Sequence, residues 1–181
     1  GCRSGPGAER GLPCPYPAPS APGAAAGTAT LGGTYSLAAV AGTATFTNVK
    51  LTGKVDSYTL TYSSGSLADV TQSISLTIGA ASKLVLATEA DGFVNRTAFT
   101  TQPVVEIQDI GGNVVTTATD SILVAIDSGN LTGTTSVAAV NGVADWATAA
   151  SALGKNGVIG SKTLTFSVSG LTSATQTFTL A

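Results

Sequence analysis

The chain has 181 residues, of which 43% are hydrophobic and only 10% charged, with a formal net charge of −2 and no histidine. Folded domains usually carry about 25% charged residues; here threonine and serine supply the polar side, which suits strands with one face buried and one wetted by hydroxyls. The scattered lysines and arginines form no basic stripe for nucleic acid, the lack of histidine removes Ser-His, Cys-His and His-metal chemistry, and no run of about 18 apolar residues is present to span a membrane.

Residues 1–27 differ from the rest. They hold six of the seven prolines, two of the three arginines (Arg3, Arg10) and both cysteines, Cys2 and Cys14. Such composition favours extended, solvated backbone, so the segment is predicted as a Pro-rich leader, disordered or extended. Three readings stay open: a rigid extracellular linker, foreign or frame-shifted sequence, or a lipidated Cys2. Cys2 and Cys14 could close a disulfide loop in an oxidising compartment, but their spacing does not require it. The N-terminal stretch holds no apolar signal core and the chain contains no methionine, so it is expected to be a piece of a longer protein.

From Thr28 a two-residue alternation begins. Thr34–Val40 alternates around Tyr35, Leu37 and Ala39, and Thr43–Thr47 puts Ala44 and Phe46 on one face. Tyr58, Leu60 and Tyr62 mark a half-buried strand. Another is expected over Thr71–Ile78, with Ile74, Leu76 and Ile78 inward. After a small junction, Gly79-Ala80-Ala81-Ser82, strands are predicted at Lys83–Thr88 and at Gln102–Gln108, the second entered through a proline. Asp109–Asn113 is a turn. Further strands follow at Ser121–Ile126, Lys162–Val168 and Thr175–Leu180, with one possible helical turn over Ala147–Leu153.

Two stretches recur. Leu31–Phe46 and Leu131–Trp146 share nine of sixteen residues at an offset of 100, and Thr59–Leu76 aligns with Thr163–Leu180 at an offset of 104. The extra four residues fall between Ala147 and Ser161, where a loop tolerates insertion. Such a repeat marks a tandem array. A unit of about one hundred residues with short strands every 8–12 residues reads as an antiparallel β-sandwich. The register predicts all-β, antiparallel β-sandwich repeats after the leader, which the resemblance given below makes Ig-like. Residues 28–79 form the C-terminal half of a truncated first repeat and 80–181 a complete one. Phe46 and Trp146 take the same place and are expected to be core between the sheets.

The segments QPVVEIQDIGGN (Gln102–Asn113), GNLTGTTSVAAVNGVADW (Gly129–Trp146) and KTLTFSVSGLTSATQTFTL (Lys162–Leu180) resemble the bacterial Ig-like repeats of invasin- and intimin-type adhesins and other large secreted surface proteins. That resemblance implies a non-enzymatic stalk module at a bacterial surface or outside the cell. Its partners would be neighbouring repeats, with any host or environmental ligand met by other domains. The alternatives are a carbohydrate- or receptor-binding Ig-like module, or an accessory domain of a secreted enzyme.

Catalytic, cofactor-binding and metal sites are each predicted to be none. Glu106, Asp120, Asp127 and Asp145 stand singly, and neither GxGxxG nor GxxxxGK[ST] occurs. Calcium stays open: Glu89, Asp91 and Asp109 are the acids that could approach one domain end, although a calcium site needs more oxygen ligands than these supply. Tyr35, Tyr58, Tyr62 and Phe93 are the only aromatics to spare for a sugar platform. Asn95-Arg96-Thr97 and Asn130-Leu131-Thr132 fit the glycosylation sequon, a pattern that arises easily by chance in a Thr-rich chain.

Overall fold

The computed structural model describes residues 29–180 and the backbone of residues 23–25. The remainder of the predicted leader, with Cys2 and Cys14, lies outside the described residues. The fold is all-β. Every named strand pair is antiparallel. The chain divides into two compact units, one ending at Leu76 and one running from Thr77 to the C-terminus, to which Gly53–Val55 also belongs.

The second unit is an antiparallel sandwich. One sheet has the order β11 (Ser136–Ala138), β9 (Ser121–Ile126), β14 (Gly160–Ser167), β15 (Ala174–Leu180). A second has the order β12 (Val143–Asp145), β8 (Val104–Gln108), β6 (Lys83–Thr88), and a third joins β10 (Asn130–Thr132), β13 (Gly154–Asn156) and β7 (Thr97–Ala98). Alternation decides what goes inside: Val105 and Ile107 of β8, Ile122 and Val124 of β9, Leu164 and Phe166 of β14, and Phe178 and Leu180 of β15 are buried in one core. Trp146 sits fully buried among them, its ring edge-on to Phe166 at 5.4 Å and its Nε1–H donating to the Thr134 carbonyl at 3.0 Å. A buried indole needs such an acceptor. The turn expected over Ala147–Leu153 falls earlier, as a 3₁₀ turn over Trp146–Thr148 started by the Asp145 carboxylate, which accepts from the Ala147 amide at 2.8 Å.

In the first unit, β1 (Gly23–Ala25), β4 (Ser57–Tyr62) and β5 (Val70–Ser75) form one sheet, and β2 (Thr30–Gly32) pairs with β3 (Lys50–Thr52). Strand β1 falls inside the segment predicted as leader. The repeated sequences carry repeated pairing. Thr30 opposes Thr52 as Asn130 opposes Asn156, and Tyr62 opposes Val70 as Phe166 opposes Ala174. The hairpin bridge Val40–Thr43 matches Val140–Val143. Its two turn residues have positive φ in both copies, 50° and 81° at Ala41-Gly42 and 52° and 79° at Asn141-Gly142, the type I′ condition for a tight hairpin.

Three expectations need correction. Thr34–Val40 and Thr43–Thr47 contain no regular strand, only the isolated Val40–Thr43 bridge. In the second unit the equivalent segments pair with β9 and β8, and alternation cannot make a strand without a partner. Phe46 is half-buried against Tyr62 at 5.7 Å rather than core like Trp146. Ile78 lies beyond the end of β5 and is 42% exposed.

Candidate functional site

The densest polar constellation in the second unit is the turn after β8. Asp109 is buried, and its carboxylate accepts from the Gly79 amide at 2.8 Å and from the Asn113 amide at 2.8 Å. The Asn113 side-chain amide adds contacts to both carboxylate oxygens at 3.1 and 3.0 Å. Asn113 also accepts from the Val55 amide at 2.9 Å and donates to the Gly53 carbonyl at 3.0 Å. Burial pushes the Asp109 carboxyl up, but hydrogen bonds from Asn113, Gly79 and Gly111 outweigh it and hold the pKa at about 2, below the ordinary 3.8. Hydrogen bonds to the charged form have this effect. With its oxygens so occupied, Asp109 fastens a turn.

Asp109 does not line the surface depression where the other two calcium candidates lie. Glu89 and Asp91 border an open hollow of about 460 Å³, together with Phe93, Thr101, Gln176 and Thr179. Among the described residues no group of three or more His, Cys, Asp or Glu side chains could hold a metal ion. Asp91 already accepts from the Gly92 amide at 2.7 Å. Below the hollow, Gln176 acts as a mock strand: its side chain accepts from the Ala90 amide at 2.9 Å and donates to the Ala90 carbonyl at 2.7 Å.

Phe93 stacks on Phe178 with centroids 4.0 Å apart, and Tyr58 is buried. Tyr62 is half-buried and its hydroxyl donates to Gln72 at 3.0 Å, while Tyr35 is 39% exposed. Of the sequon residues, Asn95 is engaged on both side-chain atoms by Gly157, at 2.8 and 3.1 Å, and Asn130 is exposed. Among the single acids, Glu106 accepts from Gln108 at 2.7 Å, Asp127 accepts from the Thr163 amide at 3.2 Å, and Asp145 caps the 3₁₀ turn. Asp120 is exposed.

Sequence reasoning missed Lys155. It lies in β13, fully buried, at the place where the first unit has Leu51. Its ammonium donates to the Asn156 carbonyl at 3.1 Å, and Gly129, at φ 84°, leaves it room: a Cβ there would lie 2.0 Å from Nζ. Burial pushes the amine below its ordinary pKa; Lys162 adds to the shift and Asp127 opposes it. The substitution of Lys155 for Leu51 in the repeat was the available signal.

No protein family matches the chain, and no curated protein is similar to it. Among solved structures it is similar to a β-glycosidase from Bacteroides vulgatus, at 12% identity and a TM-score of 0.46, over 74% of this chain and 18% of that one. A β-glucuronidase from glycoside hydrolase family 2 is similar at 15% identity and a TM-score of 0.46, over 74% and 15%. A family 2 glycosyl hydrolase from Bacteroides cellulosilyticus gives 16%, 0.46, 74% and 18%. The chain thus spans less than a fifth of each of these enzymes.

Proposed function

We propose that this chain is a non-catalytic β-sandwich spacer from a longer extracellular or cell-surface protein, with residues 80–181 a complete repeat and 28–79 the back half of another. The observation that carries the reading is the strand register: two copies of one sequence pattern share the β2–β3 and β10–β13, the β4–β5 and β14–β15, and the hairpin-bridge pairings, as a tandem array does. Asp91, Asp109, Asp127 and Asp145 serve turns, a cap and a strand end, which suits a module that holds length. The resemblance to invasin- and intimin-type repeats supports a stalk at a bacterial surface, with ligands met by other domains.

A second reading gives the module another host: a secreted enzyme, possessing its catalytic centre elsewhere, in which this sandwich is an accessory domain. The partial similarity to glycoside hydrolases motivates it. Both readings are tested in the parent protein by replacing the module with an unrelated sandwich of equal length. A spacer predicts that adhesion or reach is retained. An accessory domain predicts lowered turnover or stability of the joined catalytic domain. Loss of ligand binding on replacement, with length kept, would overturn the non-binding role common to both.

A further inference from the structure

The same repeat is closed in one unit and open in the other. In the second unit Ala139, Gly142, Ala144 and Trp146 are buried, and β12 pairs with β8 through Val143–Glu106, Ala144–Val105 and Asp145–Val104. Their counterparts in the first unit, Ala39, Gly42 and Ala44, are exposed and Phe46 is only half-buried. A Cβ at Gly142 would meet the Val115 carbonyl at 2.5 Å, whereas at Gly42 it would meet nothing within 4 Å. Among the described residues no strand pairs with Thr43–Thr45 beyond the single Thr43 bridge to Val40.

A separate sheet of the repeat, the one that holds β14, gives a second comparison. Strand β14 is flanked by β9, with Thr165 opposite Ala125 and Leu164 opposite Ile126. In the first unit β1 takes that place on β4, with Thr61 opposite Gly23 and Leu60 opposite Ala24. The slot of β9 therefore has an occupant of three residues in place of six, and the slot of β8 has none among the described strands.

We propose that Thr43–Phe46 is a strand-acceptor edge of the first unit, and that its partner is an extended segment with the chemistry of β8: apolar side chains at alternate positions, uncharged on the inward face. Strand addition gains backbone hydrogen bonds for affinity and uses alternate side chains for specificity. By the register of β12, the residue in the place of Val105 lies opposite Ala44; in the second unit Val105 and Ile107 share a core with Trp146, Phe178 and Leu180, whose counterparts in the repeat are Phe46 and the half-buried Ile74 and Leu76. Exposed edges of this kind invite pairing unless they are covered. This acceptor role rests on residues 28–79 being part of the repeat and not on the repeat being a spacer.

The test uses the full chain and a synthetic peptide of the sequence Thr101–Asn113, followed by amide hydrogen exchange. The expected result is at least about ten-fold slower exchange at Ala44–Phe46 with saturating peptide, about 1.4 kcal/mol of added protection. The same peptide carrying Val105→Glu and Ile107→Glu should give no change, and Ala44→Pro in the full chain, which removes one ladder donor, should abolish the effect while Tyr58 and Leu60 amides stay protected. Unchanged exchange at Ala44–Phe46, equal protection by the doubly substituted peptide, or protection that survives Ala44→Pro would each overturn the proposal.

Discussion

Asp109 and Lys155 show how the same burial is resolved in opposite ways. Asp109 receives backbone and side-chain donors that favour its charged form, whereas Lys155 has one carbonyl acceptor at 3.1 Å. For the carboxylate, the folded pKa of about 2 lies below the ordinary 3.8. Its stabilisation is therefore full above the unfolded value and is lost as pH falls from about 3.8 to about 2. Asp109→Ala is expected to destabilise the second unit by about 1–3 kcal/mol at neutral pH, since it strands buried donors, and to remove part of that acid dependence. Trp146 is the only tryptophan and is buried in this unit, so urea titration followed by its fluorescence reads the change; an unaltered midpoint would contradict it.

The amine behaves in reverse. A lysine whose folded pKa is lowered costs stability while both states are protonated, and the cost is relieved as pH rises through the folded value towards the unfolded one. Lys155→Met, closer to the Leu51 of the first unit, is expected to raise stability at pH 7, because apolar replacement of a buried, weakly paired charge is often stabilising. The gain should shrink in alkaline buffer. Equal gains at pH 7 and at the ordinary lysine pKa would show that burial of the charge is not the cause.

At the level of elements, the turn residues were legible and the pairing only partly so. Alternation located β8, β9, β14 and β15 because each has a partner on the sheet and a core to face. It failed at Thr34–Val40 and Thr43–Thr47, where the pattern is present but, among the described residues, only the three-residue β1 stands in the place of β9 and no strand in the place of β8. Short β7 and β13 were missed because two or three residues carry too little periodicity to read. The Asn141-Gly142 and Ala41-Gly42 hairpins give a paired test, since both glycines share φ near 80° (79° and 81°). Each Gly→Ala change pays about 1–2 kcal/mol for the left-handed backbone. Only Gly142→Ala also drives a Cβ to 2.5 Å from the Val115 carbonyl, while Gly42 has open space. Gly142→Ala should therefore cost clearly more than Gly42→Ala in thermal melts; equal costs would mean that the clash is relieved by backbone movement.

For the whole molecule, the candidate site was legible chiefly through exclusions: no histidine, few charges and no phosphate loop left little chemistry to place. Three acids proposed for one domain end were not distinguishable from turn acids by sequence, because only the fold shows that Asp109 is enclosed by amides and that Glu89 and Asp91 border a separate hollow. One repeat pattern is closed in the second unit and, among the described residues, open in the first. Amide hydrogen exchange on the intact chain tests it most directly, because equivalent residues serve as internal controls. Ala144 and Trp146 should exchange at least about a hundred-fold more slowly than Ala44 and Phe46, given a ladder bond and burial together worth about 3 kcal/mol. Equal protection at the two sets would contradict the account.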